Sequence, residues 1–186
     1  REVPKTWDDI LSPEFEDSVA VPMGDLDLFN ALVVNLYKEY GMDGITRLAR
    51  SYKKSLHPAQ MVKAKSKGKS ENPAVSIIPY FFTQMIQGSN QVAVWPEDGA
   101  VISPIFMIAK KDKKEKTQPI IDFFMSESVG KVFSANGKFP STNKLVDNGL
   151  SPDQKFKWVG WDFIEKTDIG ALLRDLEAKF NEDILK

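Results

Sequence analysis

Two short apolar runs, Ser18–Met23 and Ala74–Ile78, constrain the fold most, because each has the length of a buried strand and helix-periodic sequence lies between them. Phe29, Leu32, Val33, Leu36, Tyr37 and Tyr40 recur at intervals of three and four. Asp25 or Asp27 can cap the start of that helix, and Gly41 can close its end. The stretch Asp43–Lys54 predicts a second helix with Ile45, Leu48, Ala49 and Tyr52 on one face. Pro58 suits the first turn of a third. That helix runs into Lys63, Lys65, Lys67 and Lys69, whose alternate spacing spreads charge around the axis and reads as solvated surface. Strands alternating with helices predict an α/β fold.

The rest of the chain carries fewer strands. Thr6–Leu11 predicts one capped helical turn, ended by Ser12-Pro13. Pro79 should lead a short aromatic helix to Gln87. Gln91–Trp95 and Val101–Ala109 read as strands joined by the turn Pro96-Glu97-Asp98-Gly99. A charged loop is expected over Lys110–Lys116, then one helix from Ile120 through Phe124, Val129 and Val132 to Gly137, then loop over Phe139–Leu150. A final helix from about Thr167 stacks Ile169, Leu172, Leu173, Leu176 and Phe180. No internal repeat is found. The first half, to about Val94, makes a βαβ-like unit; the second half supplies too little sheet for a lobe of its own.

Composition excludes several function classes. A net charge of −1 leaves no basic footprint for nucleic acid. With no cysteine there are no disulfides and no thiolate metal sites. No apolar run approaches the roughly 20 residues that span a bilayer. The opening Arg1-Glu2-Val3-Pro4 has neither a methionine nor a signal-peptide pattern, so the natural N-terminus is expected to lie outside the chain. The sequence holds no Gly-x-Ser-x-Gly elbow, no Walker loop, no His-Glu-x-x-His and one histidine only. The paired carboxylates Asp8-Asp9, Glu97-Asp98 and Glu182-Asp183 sit on exposed-looking turns. No catalytic residue and no cofactor is expected.

Three signatures in order carry a family resemblance. Pro4-Lys5-Thr6-Trp7-Asp8-Asp9-Ile10-Leu11-Ser12-Pro13, followed by a strand ending in Pro22, resembles the opening of the second lobe of type II periplasmic solute-binding proteins of ABC importers. Trp95-Pro96-Glu97-Asp98-Gly99-Ala100 resembles the hinge crossing of that family, and Asp122-Phe123-Phe124-Met125-Ser126-Glu127-Ser128 the helix that follows it. The similarity covers about Pro4 to Asn143 and is greatest to the ferric-iron, thiamine, polyamine and phosphonate cluster. It implies two α/β lobes with ligand between them, closure on binding, and delivery to a permease outside the cytoplasm. It implies further that residues 4–93 form lobe two, that 94–150 return to lobe one, and that 151–186 add a strand and helix. Most of lobe one is then absent, and Val3-Pro4-Lys5 and Val94-Trp95-Pro96 form the hinge. Any membrane association would run through the permease or through a lipid anchor outside the chain.

Open α/β sheets bind ligands beyond the carboxyl ends of their strands, at helix N-termini. That rule selects Gly24, Asp25 and Asp27 after the first strand, Ser55 and His57 before Pro58, and Tyr80 and Phe81 after the next strand, with Trp95 beside the hinge. In the resembled family these turns line the lobe-two side of the cleft. Each residue has a second reading. Asp25 and Asp27 can be helix caps, His57 a cap or surface residue, Tyr80 core, and Phe81 with Phe82 packing. Ferric-binding members place two adjacent tyrosines where this chain has Tyr80-Phe81, which removes one phenolate. Phosphate-type members favour Ser-Gly at the first helix start, where acidic residues here would repel an anion. A cationic, zwitterionic or neutral organic solute is favoured, with iron open. The competing functions are the effector domain of a transcriptional regulator, and an enzyme whose catalytic residues lie in the missing part.

Overall fold

A computed structural model of the chain describes residues 1–62, 72–86, 91–137 and 139–185. Its elements are α1 (Trp7–Ile10), β1 (Val19–Val21), α2 (Leu26–Ser51), β2 (Tyr52–Ser55), α3 (Pro58–Met61), β3 (Val75–Ser76), β4 (Ala100–Val101), α4 (Lys114–Phe124), α5 (Glu127–Val132), β5 (Phe156–Lys157), α6 (Trp161–Lys166) and α7 (Ile169–Asp183). Helices with small parallel sheets make this an α/β protein, as expected. It divides into two compact units, one formed by Arg1–Ser103 with Asp153–Lys186 and the other by Pro104–Pro152.

The larger unit is built on a three-stranded parallel sheet in the order β2-β1-β3. The central strand, Val19-Ala20-Val21, is fully buried, which is why it reads as an unbroken apolar run. Asp25 caps α2 and Gly41 breaks it with φ 63°, so the two helices expected on either side of that glycine are both present. The second ends earlier than the sequence suggests. Tyr52-Lys53-Lys54-Ser55 is not helical but is the edge strand β2, with Val19 paired to Tyr52 and Val21 to Ser55. Lys53 bonds the Asp17 carboxylate at 3.0 Å.

α7 covers α2 with Leu172, Leu176 and Phe180, all buried at i, i+4 and i+8. The Phe180 ring sits edge-on to Phe29 at 5.3 Å and to Tyr52 at 5.6 Å, joining helix, helix and edge strand. Thr46 donates to Asp183 at 2.7 Å and Lys38 to the Val159 carbonyl at 2.8 Å, fastening both ends of the C-terminal segment.

Three distant stretches of the same unit meet at a knot. The capping box of Thr6 and Asp9 forms α1 as expected. Trp7 then sends its indole N–H to the Gly99 carbonyl at 2.8 Å, and Glu97 donates its N–H to the Lys5 carbonyl at 2.8 Å. β4 pairs in parallel with β5, and Gly99 (φ 110°) lies so close that a Cβ there would fall 2.9 Å from the Phe156 carbonyl carbon. Lys157 bonds Asp98 at 3.1 Å and also Glu39.

Several expected elements differ. Gln91–Trp95 forms no strand, and of Val101–Ala109 only Val101 is paired, because no partner strand lies beside the rest among the described residues. The charged stretch Lys110–Lys116 is helical from Lys111, since lysine and glutamate are good helix formers and need no buried face. The single helix expected through Gly137 is two: Ser126 caps α5 by accepting from Val129 N–H at 3.4 Å, and a π-helical turn, Phe133–Gly137, follows. α6 was not anticipated. The aromatic turn after Pro79 is 3-10 over Tyr80–Met85, Phe139–Leu150 is irregular as expected, and the lysine run 63–69 and Gln87 lie outside the described residues.

The smaller unit is held mainly by polar groups. Ser141 and Asn148 exchange bonds at 2.7 and 3.0 Å, Asn143 donates to the Met125 carbonyl at 2.9 Å, and Gly130 packs where a Cβ would meet Ser141 and Val146. Of the described large apolar side chains in this unit only Val146 is buried, while Ile105 and Ile108 are 81% and 91% exposed.

Candidate functional site

Because β1, β2 and β3 run parallel, their carboxyl ends open on one edge of the sheet, and the three turns selected by sequence leave from that edge. Gly24, Asp25 and Asp27 follow β1, Ser55 ends β2 and leads to His57, and Tyr80 and Phe81 follow β3.

At the first turn Asp25 accepts from Leu28 N–H at 3.3 Å, so the capping reading holds in the geometry. Asp27 is exposed in the first turn of α2, and Gly24 is exposed before it. At the second, His57 caps α3. Its Nδ1 accepts from Ala59 N–H at 3.2 Å, which leaves the neutral ring's proton on Nε2, and its backbone N–H donates to Gln60 Oε1 at 3.1 Å. Ser55 is exposed at the end of β2. His57 lies edge-on to Phe82 at 6.5 Å, which ties the second turn to the third.

Phe81 stacks on Phe82 at 4.2 Å, so its ring is engaged in packing. Tyr80 turns outward, 40% exposed, and meets Trp95 edge-on at 5.0 Å. Trp95 gives its indole N–H to the Lys155 carbonyl at 2.8 Å and meets Phe156 at 5.5 Å. Of these three rings sequence reading selects Tyr80 and Trp95; Phe156 follows Trp95 by 61 positions and carries no local signal that joins it to them. No hydrogen bond or ring contact among the described residues joins Asp25 or Asp27 to the aromatic groups.

A cavity of about 580 Å3 lies at the opposite, amino end of the strands, bordered by Asp17, Arg50, Tyr52 and Asp183. Its best-buried carboxylate, Asp183, is committed to Thr46 and Lys179, and Asp17 to Lys53. The strand-end rule places ligands at the other edge. Among the described residues no three His, Asp or Glu side chains gather closely enough to hold a metal ion, and no helix is long and apolar enough to cross a membrane.

Among known families, a model of bacterial extracellular solute-binding proteins matches residues 1–167. Searches of curated proteins and of solved structures returned no match.

Proposed function

This chain belongs to the bacterial extracellular solute-binding protein family, and from that premise we propose that it captures a small organic solute at the carboxyl edge of its three-stranded sheet and hands it to an ABC importer permease. The observation that carries the site is the parallel order β2-β1-β3, which sends three ligand-competent turns from one edge. Ser55 and His57 offer a hydroxyl and an imidazole N–H, Tyr80 and Trp95 offer ring surface, and Asp25 and Asp27 set a negative field. Those turns hold no lysine or arginine, so an anion would find no counter-charge there beyond helix N–H groups, and a cationic, zwitterionic or neutral solute is favoured.

The family resemblance assigns the facing wall of the site to a second lobe. The exposed apolar side chains of Pro104–Pro152, taken by itself, support a lobe completed by chain beyond these residues. Binding then bridges the lobes and shifts an open–closed equilibrium, and the closed form is the one a permease reads.

Thermal unfolding of the full-length protein against iron, thiamine, polyamines and phosphonates tests the reading. One solute at 100 times its Kd should stabilise by about 2.7 kcal/mol, and Tyr80→Ala with His57→Ala should remove most of that. Nanomolar phosphate binding would overturn the assignment of the Asp25 turn.

A further inference from the structure

We propose that Asn148 is a self-modification site, at which spontaneous deamidation unties the polar cluster that holds Pro104–Pro152. This chemistry needs no bound solute and stands apart from solute capture. Asn148 is half-buried, and the residue after it is an exposed glycine. Gly149 sits at φ 63° with nothing within 4 Å of the place a Cβ would take. No side chain therefore shields its nitrogen from the neighbouring amide.

In the reaction the Gly149 nitrogen gives its proton to solvent base and bonds to Asn148 Cγ. The Cγ–Nδ2 bond breaks, and ammonia leaves. Water then opens the cyclic imide at either carbonyl, which leaves aspartate or isoaspartate at position 148.

The folded loop restrains both reactants. Asn148 Oδ1 accepts from Ser141 N–H at 2.7 Å, and Nδ2 donates to the Ser141 carbonyl at 3.0 Å. Gly149 N–H is committed to Asp147 Oδ1 at 2.8 Å, and that carboxylate disfavours a second negative charge on the nitrogen it binds. Reaction therefore waits on local opening of the loop.

The same bonds make the product disruptive. A carboxylate at position 148 has no proton to give, so it meets the Ser141 carbonyl acceptor to acceptor, and its charge stands beside Asp147. Isoaspartate lengthens the main chain by a methylene as well. Ser141 in turn packs on Gly130 of α5 and accepts from Asn143 N–H at 3.2 Å, and Asn143 holds the Met125 carbonyl. Loss of the Asn148 clamp thus reaches the helices. Each opening can leave a permanent mark, and each mark makes the next opening easier.

The intact chain, aged at mildly alkaline pH beside a urea-unfolded sample and read by peptide mass spectrometry, tests this. Product at Asn148 should form roughly ten-fold or more slowly in the folded chain than in urea. Asn136-Gly137, the other Asn-Gly step, should react in urea at a rate like that of Asn148. Gly149→Ala should suppress the product in urea, where its folded backbone geometry no longer matters. Asn148→Asp should speed hydrogen exchange across Pro104–Pro152 by roughly ten-fold or more while leaving Arg1–Ser103 with Asp153–Lys186 unchanged. That regional readout separates a local untying from general unfolding. Equal rates in folded and unfolded chain, no product at Asn148 in urea where Asn136 reacts, or unchanged exchange in Asn148→Asp would each overturn the assignment.

Discussion

The two units of the chain solve the burial problem differently. Arg1–Ser103 with Asp153–Lys186 gathers Trp7, Val19, Val21, Leu36, Ile45, Leu48, Leu176 and Phe180 into one continuous core shared by the sheet, α2 and α7. Pro104–Pro152 is linked by bonds among Ser141, Asn143 and Asn148, and leaves Ile105, Phe106, Ile108, Phe123 and Leu145 in solvent. The first region is a packing solution. The second has the amino acids for one without the neighbours, so its hydrophobic driving force is largely unspent in this chain.

The sharpest way to break the contrast is to open the larger core. Phe180→Ala removes a fully buried ring that touches both Phe29 and Tyr52, and should cost about 3–5 kcal/mol in urea denaturation. A loss below about 1 kcal/mol would mean that this core is as loosely held as the smaller unit.

Alkaline pH should act on the larger unit next. Tyr40 has its hydroxyl pushed up to about 12, first by burial and then by the charges of Glu39, Asp98 and Asp8. Burial would lower the pKa of Lys157, but its bonds to Glu39 and Asp98 outweigh that and raise it. In both cases the folded chain holds its proton more tightly than the unfolded one. The stabilisation is therefore complete below pH 10 and fades as pH climbs toward 12. Tyr40→Phe should flatten that fall, an effect of about 1–2 kcal/mol by pH 12 once solvent screening is allowed for. Denaturation midpoints at stepped pH read it, and an identical fall in the variant would refute it.

Least affected should be the smaller unit's surface. Ile108→Ser, at a side chain 91% exposed, should change stability by under about 0.5 kcal/mol in this 186-residue chain. The lobe proposed above sharpens the comparison: in a longer chain that completes it, the same substitution should cost more than about 2 kcal/mol.

The contrast also explains what could be read from sequence. β1 was legible because Val19, Ala20 and Val21 are buried on both faces, and α7 because its stripe faces a core. Gly41 announced its own break. β2 was not legible: Tyr52-Lys53-Lys54-Ser55 continues a helical pattern, and only pairing with β1 and the ion pair to Asp17 make it a strand. Val101–Ala109 erred the other way, since an apolar run marks strand-forming sequence and says nothing about whether a partner is present. At the candidate site, the turns after β1 and β3 followed from strand ends, and the cap roles of Asp25 and His57 from helix starts. Phe156 was invisible because its meaning lies in Trp95 and Tyr80, far away along the chain.

The parallel sense of β4 and β5 has a topological corollary. A chain leaving the far end of one strand must travel the length of the pair before it can enter the next alongside, and no tight hairpin can do that. Pro104–Pro152 is the excursion that makes this return, so it is wired into the larger unit as its crossover and is no detachable ornament. Excising it would demand a replacement bridge of about a dozen residues, and a shorter splice would force the two strands out of register or apart.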